Sequence, residues 1–336
     1  MTANHVNHTQ QLQHALQQRW GGQTADYMIT GPLQKRLYSH IYKIASTRLP
    51  HPLAAKFCLH ADTGQADGAI AAEQFHALQK VAQALQISGH GISQPIGLDE
   101  TIGLLLMEWV EAPTLTQLMR WNTPAATQCR ALERAGYWLA HFHQAGPLTT
   151  GSFDWQETQH EAREMARNLL DDDLFESAAH TLLITSVQLP KLQVQRSWVH
   201  GDCKTDNLLI AADCVTGIDV ALRNINAVEY DIAQFLNHLT LLTHAPQLFL
   251  WLRALWPGHI RLEEFEQEFL RGYRKQQPQV NDFALCWLRL FQLLSLWHTT
   301  CDSPSQNLRR RVLHRLFRNT AERLQRQLKQ LHHRKN

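Results

Sequence analysis

No apolar run in this 336-residue chain approaches the 18 or so uninterrupted residues that a membrane-spanning helix needs. The longest apolar-rich stretch, FLNHLTLLTHAPQLFLWLRALW, is broken by Asn237, His238, His244, Pro246 and Arg253, so a buried helix and its neighbour explain it better. The N-terminal segment has neither the basic nor the apolar region of a signal peptide. Six scattered cysteines include no CxxC pair, which argues against a disulfide framework or zinc site and predicts reduced thiols in a cytoplasmic protein. The 20 histidines are equally dispersed. Internal repeats and low-complexity linkers are absent too, and a hydrophobic share of 44% against 18% charged residues is an ordinary globular balance.

Charge is present but unevenly placed. Residues 308–336 carry ten Lys/Arg against the single acid Glu322, so about +9; the total is +2, leaving about −7 for residues 1–307. In this basic terminal segment Leu313, Phe317, Leu324, Leu328 and Leu331 follow a three–four spacing, which predicts an amphipathic helix. Three roles suit it: docking its apolar stripe on the body of the protein, peripheral contact with an anionic membrane, or contact with nucleic acid.

Along the chain, residues 8–20 read as a polar, Gln-rich helix. A strand pair follows, YMIT at 27–30 and LYSHIYKIA at 37–45, with its turn expected around Gly31-Pro32. PLAAKFCL at 52–59 reads as a third strand, and residues 69–85 have helical periodicity through Ile70, Phe75, Leu78, Val81 and Leu85. QPIGLD and TIGLLLMEWV form another hairpin-like pair. From about residue 114 the pattern turns helical, interrupted only by the strand–loop–strand unit at 197–221. The expected class is α+β, with a β-rich first part holding one inserted helix and a mainly helical second part.

The segment VHGDCKTDNLLI at 199–210 carries the chemistry. In it His200-Gly201-Asp202 is followed by Asn207 five positions after the aspartate, then by an apolar strand and by Gly217-Ile218-Asp219. The segment resembles the HGDxxxxN catalytic loop of the aminoglycoside phosphotransferase and choline kinase family, within the protein-kinase-like superfamily. That resemblance spans roughly residues 25–300 and implies a two-lobed kinase-like fold using ATP and Mg²⁺. Asp202 would be the catalytic base and Lys204 would touch the γ-phosphate. Lys56 would hold the α- and β-phosphates and pair with Glu73. Met107 would border the nucleotide, the backbone of Glu108 to Val110 would bind adenine, and Asn207 and Asp219 would ligate the metal. EYDIAQFL at 229–236 resembles the family's YDLAxFL helix, where Asp231 would brace the catalytic loop; His200 would pack beneath that loop.

The resemblance divides the chain into an N-lobe of sheet plus helix at 1–107, a C-lobe at 108–307 with hinge, catalytic loop and acceptor-binding helices, and the basic helix at 308–336. Two departures narrow the function. The expected phosphate-covering turn, TGPLQKRLYSHIY, holds only Gly31, leaving Gln34-Lys35 and Ser39-His40 as alternative tips, with Ser39 able to cover phosphate. Tyr230 lies only eleven positions after Asp219, too close for a regulated activation segment. The expected function is therefore ATP-dependent transfer of the γ-phosphoryl group to a hydroxyl of a small molecule: an aminoglycoside, amino alcohol or sugar-like compound. A protein kinase-like regulator and an inactive nucleotide-binding scaffold are the alternatives. The acidic run Asp171-Asp172-Asp173 with Glu164 and Glu176 is a candidate attractor for a cationic acceptor, and Trp251, Trp256, Trp287 and Trp297 are candidates for its cleft or for core packing.

Overall fold

The computed structural model describes residues 8–85, 90–120, 122–153, 156–167, 172–244, 262–277, 279–301 and 308–334. It divides into two compact units, residues 1–112 with 216–221, and residues 113–215 with 222–336. The first contains α1 (His8–Trp20), β1 (Met28–Arg36), β2 (Ser39–Ala45), β3 (Leu53–Cys58), α2 (Gly68–Ala84), β4 (His90–Ile92), β5 (Pro95–Asp99) and β6 (Leu104–Glu108). Its five-stranded sheet, in the order β1-β2-β3-β6-β5, is antiparallel throughout.

Strand alternation gives this sheet two different faces. Tyr42, Ile44, Ala55, Phe57, Leu104 and Leu106 form one, joined by Leu12 and Leu16 of α1 in a single buried cluster. Each of those fully buried leucines contributes about 2 kcal/mol of apolar burial. Residues paired across strands share a face. Lys56 opposite Ile41 and Leu105, Cys58 opposite Ser39, and Ala54 opposite Met107 therefore lie on the other side. Helix α2 covers part of that side through Ala71, Ala77, Leu78 and Val81, and starts at an Asp67 cap that accepts the Ile70 N–H at 3.0 Å.

The expected turn at Gly31-Pro32 is not where the first hairpin reverses. Strand β1 runs on to Arg36 with a register shift between Thr30 and Gln34, and the chain turns at Leu37-Tyr38. A proline lacks the N–H that a strand ladder uses, so Gly31-Pro32 is absorbed as an irregularity inside the strand. The tip is thus Leu37-Tyr38, neither of the two polar pairs expected, and Ser39 is the first residue of β2, buried on the Lys56 face.

The second unit contains α3 (Leu115–Leu118), α4 (Ala125–Ala145), β7 (Thr149–Ser152), α5 (Gln156–Arg167), α6 (Asp173–Ser186), β8 (Gln193–Val199) and β9 (Leu208–Ile210). After β10 (Val215–Gly217), which leads into the short segment of the first unit, come β11 (Arg223–Ala227), α7 (Glu229–His244), α8 (Leu262–Arg274), α9 (Asp282–Cys301) and α10 (Leu308–His333). β7 and β11, unread in the sequence, flank β8 in a three-stranded antiparallel sheet. Helices α4 and α8 touch backbone to backbone: a Cβ on Gly136 would lie 2.0 Å from the Phe269 carbonyl oxygen, and one on Gly272 1.8 Å from that of Glu133. Among the described residues no helix is long and apolar enough to cross a membrane.

Candidate active site

In the second unit, β8 delivers the chain into the loop His200–Asn207, which ends in one 3-10 turn at Thr205–Asn207. Its first two residues are clamped by a single fully buried carboxylate. Asp231 of α7 accepts the His200 N–H at 2.6 Å on Oδ2 and the Gly201 N–H at 3.1 Å on Oδ1. Gly201 takes φ 79°, a left-handed conformation in which glycine alone is unstrained, and this turns both amides toward one acceptor. His143 Nε2 lies 3.1 Å from Asp231 Oδ2, and His143 Nδ1 lies 2.8 Å from the Tyr273 hydroxyl. A carboxylate accepts, so Nε2 carries the proton and Nδ1 accepts from Tyr273. The close α4–α8 approach at Gly136 and Gly272 is what lets Tyr273 reach His143.

His200 is fully buried against Trp138 and Phe142, with ring centroids at 6.0 and 5.8 Å, and its Nδ1 accepts the Asp202 N–H at 3.3 Å. The loop's chemistry faces the other way. Asp202 Oδ2 receives Lys204 Nζ at 2.5 Å and Asn207 Nδ2 at 2.9 Å, while Nδ2 also donates to the Asp202 carbonyl at 2.9 Å. With Nδ2 thus committed, Asn207 Oδ1 is the atom that remains to serve a cation. Gln234 Oε1 accepts the Cys203 N–H at 2.8 Å, and Thr205 Oγ1 bridges Thr116 Oγ1 at 2.7 Å and His238 Nδ1 at 2.9 Å. The whole loop is thereby pinned from α3 and α7.

In the first unit, Lys56 Nζ meets Asp219 Oδ1 at 2.7 Å, with 8% and 20% of the two side chains exposed. Burial works against the ammonium, but the Asp219 carboxylate outweighs it and holds the Lys56 pKa above the ordinary lysine value. Asp219 sits at φ 57°, a left-handed conformation that aspartate tolerates better than most residues, at a cost of about 1 kcal/mol. Met107, on the same sheet face as Lys56, is buried. The Glu108 N–H donates to the Gln94 carbonyl at 2.9 Å, and its carbonyl accepts from Ser93 Oγ at 2.8 Å. The Val110 carbonyl accepts from the Ala112 N–H at 3.0 Å.

The Lys56–Glu73 pair does not form. Glu73 lies exposed on α2, about 200° around the helix from buried Ala71, whereas its neighbour Gln74 reaches β3 through Cys58 Sγ at 3.9 Å. An amide thus occupies the position that faces the lysine's strand, and Asp219 is the carboxylate that Lys56 finds. The acidic run is also partly spent on structure. Asp172 caps α6, accepting the Leu174 and Phe175 N–H groups at 3.0 and 3.2 Å, and pairs with Arg318 and His314, while Glu164 pairs with Arg167. Trp287 and Trp297 are fully buried in the core. Asp171, Trp251 and Trp256 lie outside the described residues. The sequence reading missed His143 and Tyr273, whose only signal was a residue with a polar group on the buried side of each of two amphipathic helices.

No curated protein matches the sequence. Among solved structures, the chain is similar to the choline kinase LicA of Streptococcus pneumoniae, at 14% identity over 96% of this chain and 100% of that one, with a TM-score of 0.59. It is similar to a choline/ethanolamine kinase family protein of Mesorhizobium loti, at 14% identity over 88% of each chain and a TM-score of 0.56. The aminoglycoside phosphotransferase APH(4)-Ia aligns at 13% identity over 94% and 98%, with a TM-score of 0.58. These likenesses establish a protein-kinase-like α+β fold. The profile of the phosphotransferase enzyme family matches residues 63–240, taking in α2, β6, the loop His200–Asn207, Asp219 and most of α7. The chain belongs to the phosphotransferase enzyme family and is a kinase-type enzyme.

Proposed function

We propose that the protein transfers the γ-phosphoryl group of ATP to a hydroxyl of a small molecule. The observation that carries this reading is the Asp202 carboxylate, held by Lys204 and Asn207 on a loop whose backbone is clamped by buried Asp231. Asp202 orients the acceptor hydroxyl and takes its proton as the new O–P bond forms and the bond from Pγ to the ADP oxygen breaks. Lys56 binds nucleotide phosphate, and Lys204 stabilises charge developing on the transferred group. Asn207 Oδ1 in the second unit and the Asp219 carboxylate in the first are each hard oxygen donors of the kind that would hold Mg²⁺. When bound, that ion neutralises phosphate charge. Met107 borders the adenine, and the Glu108–Val110 backbone hydrogen-bonds it.

A small acceptor is favoured over a protein because only nine residues, β11 among them, lie between Asp219 and the start of α7 at Glu229, which leaves no room for a regulated activation segment. Asp202 and Asp206, with 38% and 43% of their side chains exposed, give the acceptor side of the loop an acidic character suited to an amino alcohol or aminoglycoside. The solved relatives named for choline, ethanolamine and aminoglycosides fit that class. The deciding experiment is Mg-ATP consumption by the purified protein against aminoglycosides, amino alcohols, sugars and nucleosides, with Asp202→Asn alongside. Turnover with one class that the substitution abolishes supports the reading. ATP binding without phosphorylation of any compound, protein substrates included, would favour a nucleotide-binding scaffold.

A further inference from the structure

Helix α10 carries its charge in an ordered way. At 100° per residue, positions 311, 315, 318, 322, 326, 329 and 333 fall within one narrow stripe, about 33 Å long. Arg311, Arg315, Arg318, Arg326 and Lys329 occupy five of the seven, with Glu322 the one acid. The opposite side is the buried one: Leu316, Phe317, Ala321, Leu324 and Leu328 pack into the unit, so docking uses up the helix's apolar face. The sequence stripe is shifted accordingly, with Leu313 and Leu331 only half-buried.

Nearby acids neutralise the start of this ridge more than its end. Asp172 pairs with His314 and Arg318, and Glu263 and Glu266 pair with Arg323 off the stripe. Toward the end, Arg326 lies 3.8 Å from the Glu322 carboxylate and donates Nε to the Glu322 carbonyl at 3.4 Å with its side chain still 69% exposed, and Lys329 and Arg334 are exposed. On α9, Asp282 is paired with Arg274. Helix α6 runs parallel to α10, Asp172 meeting Arg318 and Ser177 and Thr181 meeting Gln325. Its last turn therefore lies level with Lys329, and there Ile184 and Val187 are each 63% exposed.

We propose that the C-terminal half of α10, with the last turn of α6, is a docking surface for an anionic phospholipid bilayer. A straight row of cations lies flat on a plane of anionic headgroups, and two exposed aliphatic side chains beside it enter the interface. A nucleic-acid partner would use the cations but has no use for Ile184 and Val187. The surface leaves the catalytic loop untouched and would hold the enzyme beside an acceptor in or on the membrane.

The test is co-sedimentation of the full chain with phosphatidylglycerol/phosphatidylcholine vesicles and with phosphatidylcholine vesicles alone, at low and high salt. Binding is expected only to the anionic vesicles and to be lost at high salt. Arg326→Gln with Lys329→Gln should weaken it about 25-fold, about fivefold per charge, and Ile184→Ser with Val187→Ser should weaken it as well. All four positions are exposed, and thermal melts verify that the variants fold. Absence of binding at low salt, equal binding to neutral vesicles, or charge variants that bind like the parent would overturn the proposal. So would tighter binding to duplex DNA or RNA that the Ile184/Val187 variant leaves unchanged.

Discussion

The two units hold their reactive groups by different means. In the first, Lys56 and Asp219 are 163 positions apart in sequence and meet as a nearly buried ion pair, the lysine fixed by strand register and the aspartate by a left-handed backbone. In the second, Asp202, Lys204 and Asn207 lie within six residues, and their mutual hydrogen bonds are local. What is long-range there is the support: Asp231, His143 and Tyr273 come from three helices and touch only backbone or one another. A charge pair made by distant segments senses every change of register, whereas a local cluster senses the loss of its buried anchor. The first kind of site is tuned by its own residues and the second by residues that do no chemistry.

That contrast can be broken in graded steps. The largest effect is expected from Asp202→Asn, which removes the proposed base and should lower kcat about 10²- to 10⁴-fold while nucleotide KM stays close to the parent value. Initial rates with the acceptor found by the panel measure it. Asp231→Asn should act through stability instead. It places an amide against two N–H donors in a fully buried site, so about 3 kcal/mol should be lost in urea unfolding. If that variant is as stable as the parent, the anchor role is wrong.

Lys56→Met removes the cation proposed to bind nucleotide phosphate and should raise nucleotide KM about tenfold or more with a smaller change in acceptor KM. An equal rise in both would remove the distinction between the units. Glu229, next to the anchor helix's start, supplies a pH probe. Burial pushes its pKa up to about 7, although the Asn281 N–H donates to Oε1 at 2.7 Å. The unfolded chain gives up this proton near pH 4.5 and the folded one only near 7, so the folded state binds more protons between them. Stability from this group is therefore present below about pH 4.5 and lost as pH rises to about 7, by about 3 kcal/mol in all. Glu229→Gln should match the parent at pH 4.5 and melt higher at pH 8, as read by circular dichroism. The smallest effect is expected from Tyr273→Phe, which takes one hydrogen bond from His143 and should cost about 1 kcal/mol of stability with a modest fall in kcat.

Much of this was legible beforehand because it is local. The HGD…N loop is a run of eight residues whose spacing is its chemistry, and β1, β2, β3, β5 and β6 show in their own alternation or turn signals, whereas β4 lies in a stretch that reads as a connection. The two readings that failed turned on relations between elements. Gly31-Pro32 reads as a turn on composition, yet the pairing of Gln34 with Ile41 and Lys35 with His40 extends the ladder past it. Glu73 is one position away from the α2 residue that faces β3, and helical periodicity alone does not fix where a helix is rotated against a sheet. Strands β7 and β11 escaped notice because short strands flanking β8 are stabilised by pairing rather than by a pattern of their own.

The sequence by itself determined the enzyme class, the loop His200–Asn207 that follows β8, the helical register that lines up the basic residues of α10, and the short span from Asp219 to α7, since each follows from residues close together in the chain. Only the tertiary structure decided that Lys56 pairs with Asp219, that Asp172 is spent as a helix cap and on Arg318, and that a Tyr273–His143–Asp231 chain holds the loop from beneath. Those outcomes depend on which buried donor meets which acceptor across distant segments, and burial is a property of the packed chain rather than of any stretch of it.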